Sequence, residues 1–337
     1  MTVKTKIAAV ILCISTLITL FSCSEASPKP KSHVFYGCFD TVTAFYDYSG
    51  SAEKDFTALS ARVEKELGEY HRLYDIYNEY EGIVNLATIN KNAGKGPLTV
   101  DVRIIKMLLF SKEMHNLTSG KVNVAMGAVT KIWHDYREEG ASIPQMDILT
   151  AAAEHTDVND LIINEENLTV ELKDEKMLLD VGAIAKGYAV EMIASKLFDE
   201  GYTGYVLDVG GNVRAIGQKP SGSGWTCGVK NPIIVSEQTY VYKTELKNQS
   251  MSTSGVYERF YTVGGINYHH IINGDTLMPE NYYLSVSIRA DSSALTDALS
   301  TAVFNMKPEE ARAFIDGLSG VLAVFVMPSG EVITAGN

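Results

Sequence analysis

Beyond about residue 160 this chain is written mostly in short runs of β-branched and aromatic residues, with few helices between them. Such runs, bounded by Gly, Pro, Asn or Asp, read as strands. The pattern predicts two or three short strands in 159–181, broken at Asn164-Glu165-Glu166-Asn167, then strand, Gly-Gly bend and strand in YVLDVGGNVRAIG at 205–217. Further strands are expected near 225–230, 239–246, 257–263, 267–272 and 283–290, and the terminal VLAVFVMPSGEVITA makes a hairpin turning at Pro328-Ser329-Gly330. An earlier strand is expected at 34–48, VFYGCFDTVTAFYDY. The helices are fewer and long. Across 52–73, Phe56, Leu59, Val63, Leu67 and Tyr70 recur at three- and four-residue steps on one face. A second helix spans 101–117 with Asp101 as its N-cap, a third runs from Ser292 to about Asn305, and a fourth covers 308–317. Strands in series, interrupted by single helices, argue for an α+β fold with mixed or antiparallel sheets and packed helices, and against a doubly wound parallel sheet.

With 337 residues, 46% hydrophobic content and 21% charged, the chain can build one sizeable core. Its formal charge of −12 makes it a poor nucleic-acid binder, because it would repel a phosphate backbone rather than release its counterions. The N-terminus reads differently. Lys4 and Lys6 precede the apolar stretch IAAVILCISTLITLF, and Ser22-Cys23 follows it. This is the pattern of an export signal over residues 1–22, and ending it on Cys23 resembles a bacterial lipoprotein signal, with Cys23 lipidated. A single spanning helix and simple secretion are the alternatives, and the run is short for a full span. Two or more acyl chains on one cysteine anchor stably, so the expected location is the extracytoplasmic face of the cell membrane. Ser/Pro/Lys-rich residues up to about 33 form the tether, and 34–337 the folded domain. Beyond Cys23 only Cys38 and Cys227 remain, too few for a disulfide framework.

Four stretches carry chemistry-bearing residues. In LLDVGAIAKGYAV, 178–190, an apolar run ends at Asp180, Gly182 and Ala183 follow, and a helix begins with Lys186 near its start. A turn of this kind can aim backbone N–H groups and a positive helix end at an anion such as phosphate. In SSALTDALSTAVF, Asp297 and Thr301 lie four apart on one helix face, with Ser300 beside them. A carboxylate and a hydroxyl suit Mg²⁺, which takes its remaining ligands from water and substrate phosphate, although a solvated helix face would look the same. TSGKVNVAMGAVTKIWH, 118–134, is either the floor of a pocket for a flat ring or a turn packed on the core. In NYHHIING, 267–274, the adjacent His269 and His270 point to opposite faces of a strand, and either can serve as a general base. There is no GxSxG, HExxH, CxxC or GxxxxGK[ST] motif to compete with them.

Taken in order, FDTVTAFYDY, YDIYNEYEGIVNLATIN, LDVGAIAKGYAV, VLDVGGNVRAIG with Trp225 and Asn231-Pro232, STSGVYERFY with YHHIING, and TDALSTAVF resemble the ApbE family of flavin transferases over about residues 34–336. The resemblance implies a T-fold-related α+β fold with a cleft where FAD, the substrate, meets Mg²⁺. It implies metal ligands at Asp297, Thr301, Ser300 and the carbonyl of Ala183. Flavin contacts are implied at Phe39, Tyr77, Lys121, Val122, Asn123, Asp180, Lys186 and Ile272, with Tyr77 stacking on the ring. His270 is implied as the catalytic base. The implied reaction moves FMN from FAD to a Thr or Ser of an exported flavoprotein carrying D-x-[ST]-[GS]-A-[ST], releasing AMP. The alternatives are an Mg²⁺-dependent FAD pyrophosphatase and a non-catalytic flavin-carrying lipoprotein. Three positions depart from the family pattern: Asn123 stands where Asp is usual, Asp40 where Gly is usual, and Asn273-Gly274 where Asp-Pro is usual.

Overall fold

The computed structural model describes residues 29–233, 236 and 238–337; the signal segment and Cys23 lie outside them. The chain opens with β1 (Lys31–Cys38), β2 (Thr41–Asp47), α1 (Glu53–Tyr74), α2 (Leu86–Lys91), β3 (Leu98–Thr99), α3 (Val102–Leu117), α4 (Gly127–Glu139) and α5 (Met146–Ala153). It continues with β4 (Leu161–Asn164), β5 (Thr169–Leu172), α6 (Ala185–Asp199), β6 (Tyr205–Val209), β7 (Asn212–Ile216), β8 (Trp225–Lys230), β9 (Tyr240–Leu246) and β10 (Ser250–Gly255). The last third is β11 (Phe260–Val263), β12 (Ile266–His269), β13 (Ser285–Ala290), α7 (Ser293–Phe304), α8 (Pro308–Asp316), β14 (Leu322–Val326) and β15 (Val332–Gly336).

Eight strands form one sheet in the order β1-β2-β6-β7-β10-β13-β14-β15, every neighbouring pair antiparallel. Alternation along the strands gives the sheet two apolar faces. Leu207 and Val209 of β6 join the main core beneath α1, α6 and α7, while Val206 faces the other way with Ala215, Met251 and Val324, covered by the β8–β9 hairpin through Trp225, Val229 and Leu246. In the main core the ring of Phe45 stacks between Phe56 of α1 and Tyr205 of β6, at 6.0 and 5.4 Å. Burying such a side chain contributes about 1.5–3 kcal/mol, so α1 is held by its apolar stripe rather than by capping; its N-cap Ala52 makes no side-chain bond.

Several expectations needed correction. The expected strand at 34–48 is two strands, because Phe39 and Asp40 both adopt positive φ, +53° and +52°, as a two-residue hairpin turn requires. The first of them starts at Lys31, whose Nζ bonds Asp47 Oδ2 at 3.0 Å and draws part of the expected tether into the sheet. Between 172 and 185 there is no third strand, only a single bridge from Leu178 to Met126.

The central strand β10 was missed, since SMSTSG lacks any β-branched run. Its serines are satisfied by neighbours instead: Ser250 Oγ bonds the Val213 carbonyl at 2.9 Å, Ser252 meets Thr296 at 2.8 Å and Ser254 meets Ser300 at 2.9 Å. Helices α2, α4 and α5 were also missed. Helix α4 begins without a side-chain cap, at a glycine whose Cβ would stand 2.3 Å from the Leu178 carbonyl oxygen. Cys38 and Cys227 are free thiols.

Candidate active site

The site starts where α6 crosses α7. Gly187 permits the crossing: a Cβ there would lie 2.3 Å from Asp297 Cβ and 2.5 Å from the Ser293 carbonyl oxygen. That proximity lets the Gly187 N–H donate to Asp297 Oδ2 at 2.7 Å, while Lys186 Nζ donates to Oδ1 at 3.1 Å. Asp297 is only 7% exposed, so its charge is balanced by these two partners rather than by water. Because the Gly187 amide turns to Asp297, the carbonyl of Ala183 has no helix partner among the described residues.

A buried network sets the register of this crossing. Glu191 of α6 takes Arg214 Nε at 3.1 Å and Nη2 at 3.2 Å, the Ser195 hydroxyl at 2.7 Å and the Ser293 N–H at the start of α7 at 2.5 Å. The Ser293 hydroxyl donates to Asn212 Oδ1 at 2.6 Å. On α7 the three expected oxygen donors separate. Thr301 Oγ1 lies 3.4 Å from Ser254 Oγ and makes no other hydrogen bond among the described residues. Ser300 is buried, donates to the Asp297 carbonyl at 2.9 Å and faces Ser254 Oγ at 2.9 Å across the α7–β10 contact.

The turn before α6 keeps part of the amide nest that its sequence suggests: the N–H groups of Ala183 and Lys186 have no hydrogen-bond partner among the described residues, and others are taken. The Gly182 N–H goes to Asp180 Oδ1 at 2.9 Å, those of Ile184 and Ala185 go to the Val181 carbonyl, and that of Gly187 goes to Asp297. Attraction for an anion therefore rests on the Lys186 ammonium and on the unpartnered N–H groups of Ala183 and Lys186. Asp180 also accepts the Thr130 hydroxyl at 2.7 Å, which ties the turn to α4.

Tyr77 follows α1 in a loop held by Asp75, whose carboxylate accepts from the N–H groups of Tyr77 and Asn78 at 2.7 and 3.1 Å and from the Tyr80 hydroxyl at 2.7 Å. Despite the cost of burial, these donors hold the Asp75 pKa below the usual carboxylate value. Tyr77 itself is 61% exposed, its ring 5.5 Å from that of His134. Burial of part of the ring and the charge of Asp180 raise its hydroxyl pKa. Phe39 packs edge-on against His71 at 5.6 Å, and its N–H donates to His71 Nδ1. Asp40 lies 4.0 Å from Arg259.

Lys121 is ion-paired to Asp275 at 2.7 Å, and Val122 is buried. Asn123 accepts from the Ala125 N–H at 2.9 Å and donates to the Thr156 carbonyl at 2.9 Å. An aspartate could not make the second bond, so the departure at 123 is built into this chain's own loop. Asn273 does the same for its loop: buried, it donates to the Asn305 carbonyl at 2.9 Å and accepts from the Asp275 N–H at 2.9 Å, which fixes the segment without a proline. The carbonyl of Ile272 receives the other Asn305 contact at 3.4 Å.

The two histidines are now distinguishable. His269 is 3% exposed, with the Ile271 N–H on Nδ1 at 3.2 Å and the Glu280 carbonyl facing Nε2 at 2.9 Å. Its ring is neutral and has no free nitrogen. His270 is open to solvent on one side, and its Nδ1 faces the Arg259 carbonyl at 3.2 Å. A carbonyl only accepts, so Nδ1 carries the proton and Nε2 keeps a free lone pair. The crowded wall behind the ring, helped by the charges of Arg259 and Arg137, holds the His270 pKa below the ordinary histidine value, leaving a base that is unprotonated at neutral pH.

Sequence reasoning did not single out Arg259, Arg137, Ser254 or Glu191. Glu191 had a signal in its company, a lone acid among apolar residues of α6. Asp208, on the β6 face under the β8–β9 hairpin, has its pKa raised by burial, with Lys186 opposing the shift. Among the described residues no three His, Cys, Asp or Glu side chains converge as a metal site. A cation at Asp297 would thus be held by one carboxylate, the Thr301 hydroxyl and the Ala183 carbonyl. This all-oxygen set fits Mg²⁺, and the carboxylate already neutralises one cation, the Lys186 ammonium.

Residues 37–326 match the pattern of the ApbE family. An FAD:protein FMN transferase of Treponema pallidum (strain Nichols) is 31% identical over 261 residues, 73% of this chain and 72% of that protein. One from Klebsiella pneumoniae (strain 342) is 27% identical over 277 residues, 82% of this chain and 84% of the relative. The crystal structure of the apbe protein from Thermotoga maritima superposes with a TM-score of 0.81 at 25% identity, covering 91% of this chain and 97% of that one. The flavin transferase ApbE from Vibrio cholerae, at 21% identity, shares the fold with a TM-score of 0.75 over 91% of this chain and 98% of its own.

Proposed function

This chain belongs to the ApbE family, and we propose that it is an FAD:protein FMN transferase dependent on Mg²⁺. The observation that carries the reading is the buried Asp297 carboxylate, presented with Lys186 at the start of α6, in a chain that also keeps one histidine neutral with a free Nε2. A protein that only carried a flavin needs neither a pyrophosphate-polarising cation site nor a base.

In this reading Tyr77 lies against the flavin ring, and the segment Lys121 to Asn123 runs along it. Phe39 and Ile272 add apolar contact, Asp180 holds the turn, and Lys186 meets the pyrophosphate. Asp297, Thr301 and the Ala183 carbonyl would hold Mg²⁺, which when bound neutralises pyrophosphate charge and eases departure of the leaving phosphate. His270 Nε2 takes the proton from a Thr or Ser hydroxyl of the acceptor. That oxygen forms a bond to the FMN phosphorus, the bond to the bridging oxygen breaks, and AMP leaves with the electron pair. The acceptor would be an exported flavoprotein carrying D-x-[ST]-[GS]-A-[ST], and lipidation at Cys23 would hold the enzyme at the extracytoplasmic membrane face beside it. Hydrolysis of FAD to FMN and AMP is the second reading, favoured by the exposure of His270 to water.

The test is incubation of the protein with FAD and Mg²⁺, with and without an acceptor domain bearing the motif. AMP is followed by chromatography and the acceptor by intact mass. AMP formed only with acceptor, with a mass gain of one FMN, is the expected result. AMP without acceptor would shift the assignment to the pyrophosphatase, and no AMP in either case would refute both.

A further inference from the structure

The Asp297 carboxylate has two oxygens and two partners, and the partners are not equivalent. Oδ2 is tied to the Gly187 amide at 2.7 Å by the helix crossing itself, where there is no room even for a methyl group. It cannot change partner unless α6 and α7 separate. Oδ1 is held by Lys186 Nζ at 3.1 Å, at the end of a four-carbon stem that remains about one-quarter exposed. Glu191, the acid nearest in sequence, is engaged by Arg214, the Ser195 hydroxyl and the Ser293 N–H, and Asp180 accepts from the Gly182 N–H and the Thr130 hydroxyl.

We infer that the Lys186 ammonium is an internal stand-in for the divalent cation at Asp297, so that the cation binds only by displacing it and thereby frees Lys186 for the substrate's phosphate. The inference rests on the proposed metal role of Asp297. Its physical basis is that an ammonium and a divalent cation within contact distance of one oxygen repel each other, and one carboxylate cannot offset both. Before the cation arrives, the ammonium is neutralised by Asp297 and gives little attraction to a phosphate. Afterwards both positive groups face the anion, so cation and flavin bind with positive coupling and the cation comes first.

The experiment uses the full chain in detergent, with Mn²⁺ alone as the probe and the free aquo-ion signal in electron paramagnetic resonance as the readout. Lys186→Met is expected to bind Mn²⁺ about tenfold or more tightly than the parent, the scale of a charge-assisted hydrogen bond no longer competing. Lys186→Arg, which keeps the charge, should bind no more tightly than the parent. Because a nearby charge alone could produce part of this effect, the unaltered protein supplies a second readout. Saturating Mg²⁺ should increase the rate at which an acylating reagent modifies the Lys186 amine several-fold, as measured by peptide mass spectrometry. Equal Mn²⁺ affinity in parent and Lys186→Met, with binding still lost in Asp297→Asn, would keep the metal centre and overturn the displacement. Mg²⁺-independent acylation of Lys186 would overturn it as well. Absence of Mn²⁺ binding in every form would overturn the metal role of Asp297, and this inference with it.

Discussion

Replacing Gly187 by alanine tests the central contact of the site. The new methyl group would fall 2.3 Å from Asp297 Cβ and 2.5 Å from the Ser293 carbonyl oxygen. Carbon atoms rest about 3.5–4.0 Å apart, so the two helices must part by about 1 Å or more. Overpacking of this kind costs about 1–3 kcal/mol. The Gly187 N–H to Asp297 bond, now 2.7 Å, lengthens beyond hydrogen-bond range, which adds about 1.5–3 kcal/mol for a charged acceptor. Alanine's better helix propensity returns up to about 1 kcal/mol. The net expectation is a loss of about 2–5 kcal/mol in urea unfolding, together with weakened Mg²⁺ binding. Gly68 of α1 is the control, because a Cβ there meets nothing nearer than Arg72 Nη1 at 4.0 Å. Gly68→Ala should be neutral or stabilising by up to about 1 kcal/mol. If both variants changed stability by less than about 1 kcal/mol, the argument from close approach would be refuted.

Glu191→Ala strands the Arg214 guanidinium in the core and should destabilise by about 3–5 kcal/mol in the same assay; a loss under about 1 kcal/mol would show that the pair is dispensable. Tyr77→Ala removes the ring proposed to stack on the flavin and should weaken FAD binding by roughly 1–3 kcal/mol, read by flavin fluorescence titration, whereas an unchanged Kd excludes stacking. Arg259→Ala keeps the backbone carbonyl on His270 but removes a charge that disfavours its protonation. As the proposed base, His270 would work unprotonated, so its lowered pKa would preserve activity in mild acid. In the variant the acid limb of kcat/KM should move up toward about 6.5, and a limb that stays or moves down contradicts the charge argument.

The helices at 53–74, 102–117 and 293–304 were legible because their apolar residues repeat with helical period and two of them open on a capping side chain, Asp101 and Ser292. The strands of the outer hairpins were legible from β-branched runs. Strand β10 was not, because burial of a serine strand depends on hydroxyl partners that its own sequence does not contain. The 118–134 stretch concealed the start of α4, whose position is set by contact with Leu178 rather than by a cap. At the site, the i, i+4 spacing on α7 was readable, whereas the tie of the Gly187 amide to Asp297, the contact of Ser300 with Ser254 on β10 and the different surroundings of His269 and His270 all depend on tertiary neighbours.

The crossing of α6 and α7 also has a temporal side. The bond from Gly187 to Asp297 spans 110 positions of sequence. A ribosome-bound chain that has emerged only as far as α6 therefore holds Tyr77, Asp180 and Lys186, but neither Asp297, which pairs the lysine, nor His270, the proposed base. Pairings this distant in sequence form late. On the proposed roles of Asp297 and His270, the protein would be inert toward its nucleotide until its final third has been made, and a nonsense mutation anywhere before Asp297 would leave a fragment without the chemistry rather than a slower version of it.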